Sequence, residues 1–185
     1  DVAQVAQGMH VKICTQRLRS GGEAKVEDGC AIGRGGIHAT KREGDGISPA
    51  GCYPLLRILY RPDRLAGVKS DLPVQALTPQ DGWCDDPADP LYNQPVQLPY
   101  PGRHEKLWRD DGVYDVIVVL GHNHNPPVPH LGSAIFLHIA KPDYGPTEGC
   151  AALNQTDLLA VLAEAQPGDL LCFDQENGDV PPQFN

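Results

Sequence analysis

Two short apolar runs with a proline-rich segment between them place the strongest constraint on the fold. Residues 114–120 (Tyr-Asp-Val-Ile-Val-Val-Leu) are rich in β-branched side chains, and residues 133–139 (Ser-Ala-Ile-Phe-Leu-His-Ile) form a second apolar run. Three prolines lie in the segment between them, residues 121–129. Apolar runs of this length predict buried strands, and proline interrupts both helices and strands. The chain is therefore expected to be built around at least two neighbouring central strands.

The second run also predicts where one histidine side chain lies. Successive side chains of a strand point to opposite faces of the sheet. His138 should therefore share a face with Phe136 and Ala134, opposite the aliphatic side chains that alternate with them.

The rest of the chain predicts further short strands and one helix. We expect strands at 54–60 and 169–173, and a helix over 156–165 with Thr156 as its N-cap. Residues 81–103 contain five prolines and predict a long irregular excursion. With 20 Gly and 18 Pro, the composition favours a strand-and-loop protein over a helical bundle.

The length of 185 residues and a hydrophobic content of 41% indicate one domain with a true core. We expect a single domain over 1–185, with its core at about 10–173 and loose ends at 1–10 and 174–185. A net charge of −9 argues against nucleic acid or an anionic membrane surface as a partner. No apolar run is long enough for a transmembrane helix. We expect a chain that begins with Asp1 to be a mature or trimmed product.

Cys150 is the most informative residue for chemistry. It follows Gly149 in a loop that returns from the run bearing His138, twelve residues earlier. A histidine that removes the thiol proton lets the sulfur attack a carbonyl carbon. A glycine before the nucleophile lets the backbone approach a substrate closely. A single cysteine is nevertheless more often a small buried apolar residue.

A histidine cluster offers a competing kind of site. His122 and His124 are two residues apart, and His130 and His138 follow. Histidines at i and i+2 of an extended segment point the same way, which suits a metal ion. No acidic residue stands at matching spacing, so loop histidines without a metal are the more ordinary interpretation.

Two sequence blocks resemble the L,D-transpeptidase catalytic domain of the YkuD type. The first is Ser-Ala-Ile-Phe-Leu-His at 133–138 with Pro-Thr-Glu-Gly-Cys-Ala-Ala-Leu at 146–153, similar to the family's His followed by Ser/Thr-x-Gly-Cys. The second is Lys-Arg-Glu-Gly-Asp-Gly-Ile-Ser-Pro-Ala-Gly-Cys-Tyr at 41–53, similar to the family's Lys-x-Gly and Thr-Pro-x-Gly-x-Phe/Tyr stretch. The likeness spans about 28–173.

The resemblance implies a fold and a chemistry. The fold is mainly β and sandwich-like, with one or two helices packed alongside. Cys150 is then the nucleophile and His138 the general base and later acid, while the Gly149 and Cys150 amides contribute to an oxyanion hole. The implied substrates are peptidoglycan stem peptides, as donor and as acceptor of the acyl group. No cofactor is implied, and we expect an exported, periplasmic monomer.

Departures from the family pattern mark a divergent branch. Thr147 keeps a hydroxyl where Ser is usual, Ile139 replaces a common Gly, and Ala152 stands where Arg is usual. Candidates to supply the missing cation are Arg109, Arg103 and Lys141, with a basic patch also possible at residues 34, 41 and 42. The predicted substrate-binding residues are Thr147, Tyr114, Arg109, His122 and Asn123.

Three alternative functions stay open. An L,D-carboxypeptidase would use the same thiol with water as acceptor. A metal-dependent hydrolase would use His122, His124 and His138, and a non-catalytic cell-wall binding module would account for the missing Arg.

The resemblance also constrains the cysteines. If Cys150 is kept as a thiol, at most two disulfides form among the other five cysteines. The first expected pair is Cys30 with Cys52, which flank the 41–51 block.

Overall fold

A seven-stranded mixed sheet forms the centre of the protein. The computed structural model describes residues 29–174 in full and residues 10–14 by their backbone. The elements are β1 His10–Cys14, β2 Ile37–His38, β3 Ser48–Pro49, β4 Gly51–Tyr60, β5 Val74–Ala76, β6 Asp81–Cys84, β7 Pro95–Gln97, β8 His104–Lys106, β9 Val116–Leu120, β10 Phe136–Ile139, β11 Ala151–Leu153, α1 Gln155–Glu164 and β12 Leu170–Asp174. The mainly β class is thus confirmed, with one helix among the described residues.

The central sheet has the strand order β1-β12-β4-β9-β10-β11, and β5 pairs with β4. The two apolar runs lie side by side as the antiparallel strands β9 and β10, and β11 follows β10 in parallel. The second run enters the sheet only at Phe136, because Ala134 has a φ of +52°, outside the strand region. Two smaller sheets complete the fold, the pair β2–β3 and the three strands β7-β6-β8.

The two faces of the central sheet are covered by different layers. One face, with Leu137 and Val118, packs against Leu158 and Leu162 of α1. The other face carries Phe136, Ile117 and Val119, and packs against Trp83 and Leu107 from the three-stranded sheet and the segment after it. The rings of Trp83 and Phe136 meet edge to face, with centroids 5.0 Å apart. This alternation confirms the predicted faces of β10.

Two expectations about local structure were wrong. The helix starts at Gln155, and its N-cap is Asn154, whose side chain accepts the Asp157 N–H at 2.8 Å. Asn and Thr are both good caps, and the placement of the turn decides between them. The expected irregular excursion 81–103 contains β6 and β7, which pair antiparallel. Pro95 begins β7 at the edge of its sheet, where a missing N–H costs no ladder bond.

The expected disulfide was also wrong. Cys52 pairs with Cys172, because the two residues stand directly opposite each other in β4 and β12, with Cα atoms 4.0 Å apart. This bridge joins positions 120 residues apart, a contact that only the sheet register creates. Cys84 and Cys150 carry free thiols. The predicted loose ends lie outside the described residues, except His10–Cys14 at the start and Asp174. No helix in the described part of the chain is long and apolar enough to cross a membrane.

Candidate active site

The thiol of Cys150 is held at the point where β10 begins. Cys150 immediately precedes β11 and is only 7% exposed. Its Sγ donates to the Ala134 carbonyl at 3.2 Å and accepts the Phe136 N–H at 3.3 Å. The left-handed turn at Ala134 therefore presents a backbone donor and a backbone acceptor to the sulfur.

His138 lies on the same face of the sheet as the thiol. In the register of β10 and β11 it stands opposite Ala152, which alternation places on the same side as Cys150. Its Nδ1 is 2.9 Å from the Ile139 carbonyl, which can only accept, so the proton sits on Nδ1. In the neutral ring Nε2 is then the nitrogen that can take up a proton. The Tyr114 ring holds the imidazole from the side, with centroids 5.3 Å apart.

Cys150 and His138 line one cavity of about 400 Å³. Its charged lining is mixed, with four carboxylates and three cations. The cations are Lys41, Arg109 and Lys141, and the carboxylates are Glu43, Asp85, Glu105 and Glu148. A cavity of this polarity suits a ligand that carries charges of both signs.

Burial keeps both reacting groups neutral at rest. Desolvation raises the pKa of the Cys150 thiol to about 12, and the charge of Glu105 adds to this. Desolvation likewise lowers the pKa of His138 to about 4. The site therefore holds a thiol and a neutral imidazole, and the proton is transferred as the sulfur attacks.

The reactivity of Cys150 toward iodoacetamide should show this neutral pair. We expect the alkylation rate to rise roughly tenfold per pH unit from pH 6 to 10, because only the thiolate reacts. Mass spectrometry of the Cys150 peptide after timed labelling measures the rate. A rate already constant from about pH 5 upward would instead show a thiolate–imidazolium pair.

The loop before the nucleophile is cross-linked by hydrogen bonds. The Thr147 hydroxyl donates to the Cys150 carbonyl at 2.7 Å and accepts the Gly149 N–H at 3.1 Å. The Ser48 hydroxyl donates to the Gly149 carbonyl at 2.7 Å. In this arrangement the Gly149 amide already has a partner within the loop. Its contribution to an oxyanion hole therefore stays a prediction, and so does substrate binding by Thr147.

Gly149 occupies a position that no other residue fits. Its φ is +133°, and a Cβ there would lie 2.8 Å from the Ile47 carbonyl oxygen. We expect Gly149→Ala to lower the free energy of unfolding by about 1–3 kcal/mol, because the strained loop must shift. Urea denaturation measures this change.

Gly67→Ala is the matched control for Gly149→Ala. Gly67 has open space around it, so its replacement should change the free energy of unfolding by less than about 0.5 kcal/mol. Equal stability of the two variants would contradict a tight fit at Gly149.

Two of the predicted substrate-binding residues line the cavity beside His138. The Tyr114 hydroxyl donates to Glu105, and burial raises its pKa well above the usual value. Arg109 lies over the Tyr114 ring at 5.0 Å and forms an ion pair with Asp111. The hydroxyl and the guanidinium therefore both have protein partners.

The other two lie elsewhere. His122 packs edge-on against the Tyr53 ring at 5.1 Å, and its Nδ1 is buried without a hydrogen-bond partner among the described residues. Burial, followed by the charge of Lys41, lowers the pKa of His122 to about 4. Asn123 has a φ of +47°, and its side chain donates to the Val128 and Gly132 carbonyls. Neither lines the cavity of Cys150, and their role with substrate stays a prediction.

The structure separates the histidines of the metal hypothesis. His138 faces the cavity of Cys150, whereas His124 lines a different, smaller pocket beside Trp83. Within residues 29–174, no three His, Cys, Asp or Glu side chains are grouped so that they could hold a metal ion. The geometry thus favours thiol chemistry.

Two residues that line the cavity were missing from the predicted site. Lys41 belongs to the second sequence block, which was the signal that could have found it. Glu105 comes from the three-residue strand β8, for which the sequence shows no pattern. Of the candidate cations, Arg103 pairs with Asp85 at 3.1 Å and does not line the cavity, whereas Arg109 and Lys141 do.

A comparison with protein families identifies the domain. The family model described as the L,D-transpeptidase catalytic domain, YkuD, matches residues 8–172. No curated protein and no solved structure matches the chain. With nearly all of its length covered by that match, the chain belongs to the L,D-transpeptidase catalytic domain (YkuD) family.

Proposed function

We propose that this protein is a peptidoglycan L,D-transpeptidase that uses Cys150 as its nucleophile. The observation that carries the proposal is the placement of Cys150 and His138. Both lie on one face of adjacent parallel strands and line the same cavity of about 400 Å³. The family membership supplies the substrate class, the stem peptides of peptidoglycan.

The first step is acylation of the thiol. The Cys150 proton moves to Nε2 of His138 as Sγ bonds to the carbonyl carbon at the L-centre of diaminopimelate, and the carbonyl electron pair moves to oxygen. The tetrahedral intermediate then reforms its carbonyl and breaks the bond to the terminal D-residue, whose amine takes the proton from His138. The Nδ1–H bond to the Ile139 carbonyl keeps the ring oriented through both proton transfers.

The second step passes the acyl group to an acceptor. An amine from another stem attacks the thioester, His138 takes a proton from that amine, and Cys150 leaves as the thiol. Stem peptides carry both carboxylate and ammonium groups, and the mixed charges around the cavity suit them. With water as acceptor the same site would act as an L,D-carboxypeptidase.

The disulfide bears on where the protein works. Structural disulfides persist in oxidising compartments such as the bacterial periplasm. The bridge between Cys52 and Cys172 therefore supports an exported protein that acts at the cell wall. We retain the expectation that it acts as a monomer.

Product analysis tests the proposed function. The purified protein is incubated with sacculi, and the muropeptides are then identified by mass spectrometry. Cross-linked dimers with release of the terminal D-residue are the expected result. Tripeptides without dimers would assign the carboxypeptidase reaction, and unchanged muropeptides would refute both.

Turnover, and not thiol reactivity, distinguishes the enzyme from a non-catalytic binding module. Because burial raises the pKa of the Cys150 thiol, slow alkylation is expected of either protein. A binding module would retain sacculi without altering them.

A further inference from the structure

Lys41 is a buried cation beside the nucleophile loop. Its side chain is only 6% exposed and pairs with Asp45 at 2.6 Å. A Cβ on Gly149 would lie 3.4 Å from its Nζ, and a Cβ on Gly132 would lie 3.0 Å from its Cε. Both glycines have positive φ values, so two side-chain-free positions form the slot that this lysine fills.

Asp45 holds the lysine in this slot. Its carboxylate accepts the Arg42 N–H at 2.7 Å and the Ile47 N–H at 2.9 Å, in addition to the lysine. Burial raises the pKa of Asp45, but these bonds together outweigh it, so that the pKa is lowered. The carboxylate is therefore ionised at neutral pH and orients the ammonium without neutralising the cavity of its only buried positive charge among the described residues.

The other cations of the cavity are less suited to act on the reacting atoms. Arg109 already pairs with Asp111 and lies over the Tyr114 ring. Lys141 is exposed, so water screens its charge. Position 152, where the family pattern has Arg, is a buried Ala. The charge of Lys41, by contrast, reaches the sulfur and lowers the pKa of Cys150 against the larger effect of burial.

We infer that the Lys41 ammonium stabilises the oxyanion that forms when Cys150 adds to a substrate carbonyl. The inference rests on the proposed function for its substrate, but its chemistry applies to any acyl donor. As Sγ bonds to carbon and its proton moves to His138, the carbonyl electron pair collects on oxygen beside the lysine. Lys41 keeps its three protons throughout. A buried charge oriented before the reaction acts most strongly on such an intermediate.

The experiment compares two reactions of the same thiol. Acylation by p-nitrophenyl acetate forms an oxyanion and releases p-nitrophenolate, whereas alkylation by iodoacetamide forms none. For Lys41→Met we expect the acylation rate to fall roughly 100-fold, the loss seen when an oxyanion-hole donor is removed. Alkylation should change by less than about fivefold, because it depends only on the thiolate population. With the stem tetrapeptide, the loss should appear in kcat and not in KM.

Three variants separate the charge from a structural role. Lys41→Arg keeps the charge and should recover acylation to within about tenfold of the parent. Lys41→Met with Asp45→Asn removes the whole pair, so that no unpaired carboxylate is left, and should stay about 100-fold slow. Lys69→Met removes an exposed lysine far from the site and should match the parent. Circular dichroism and thermal unfolding confirm that each variant is folded.

Several results would overturn the inference. They are unchanged acylation in folded Lys41→Met, recovery in the double variant, or an equal fall in acylation and alkylation. The ester needs no stem peptide, so its outcome is independent of the sacculus assay. Failure of the parent on sacculi with Lys41-dependent acylation would therefore refute the proposed substrate and leave the role of Lys41 intact.

Discussion

Cys150→Ala is expected to abolish both cross-linking of sacculi and release of the terminal D-residue. Removal of a catalytic nucleophile costs on the order of 10⁶-fold in kcat, because no other group can form the covalent intermediate. The fold should survive, since the change removes one sulfur atom from a site that already contacts backbone groups at Ala134 and Phe136. Mass spectrometry of the muropeptides and circular dichroism measure the two outcomes.

Two controls sharpen this result. Cys150→Ser keeps the size of the side chain but replaces the thiol with a much weaker acid, and should be as inactive as the alanine variant. Cys84→Ala removes the other buried free thiol, which lies in β6 away from the cavity, and should retain activity. Activity in folded Cys150→Ala would end the proposal of thiol catalysis.

His138→Asn is expected to lower kcat by roughly 10²–10⁴-fold, the usual contribution of a general base. The asparagine amide can take the place of Nδ1 and donate to the Ile139 carbonyl, whereas nothing replaces Nε2. The variant therefore removes the proton acceptor and keeps the local hydrogen bond. His38→Asn alters an exposed histidine of β2 and is the matched control. Steady-state kinetics with the stem tetrapeptide measures the loss.

The pH dependence of stability gives a second readout for His138. Its folded pKa is lowered to about 4 from an ordinary value of 6.5, so the unfolded chain binds more protons between these values. The free energy of unfolding of the parent should therefore fall, relative to His138→Asn, as the pH decreases from 6.5 to 4. A difference that does not vary with pH, together with near-parent kcat, would show that His138 is neither buried as a neutral ring nor the base.

Much of the site was predictable where the reasoning needed only local periodicity. The alternation along 133–139 placed His138 with Phe136 and away from the aliphatic face, and β10 shows that arrangement. The first sequence block placed Cys150 after a glycine, and the structure explains that residue by its positive φ and the nearby Ile47 carbonyl. Strand period and backbone sterics act over a few residues, so a sequence displays them directly.

Contacts between distant segments could not be predicted in the same way. Nothing near Cys52 indicates that its partner is Cys172, because the pairing follows from the register of β4 and β12. The helix cap and the strands within 81–103 were misjudged for a related reason, since packing chooses among segments of similar local preference.

The residues that can carry the chemistry were therefore determined by the sequence alone: a thiol, a histidine on a defined strand face, and a glycine before the nucleophile. Only the tertiary structure decided what surrounds them. It brought Lys41 and Asp45 onto the nucleophile loop about a hundred residues away, enclosed the thiol so that it rests protonated, and left His122 and Asn123 outside the cavity. Burial and charge proximity depend on which segments meet in space, and these quantities set the pKa values and electrostatics of the site.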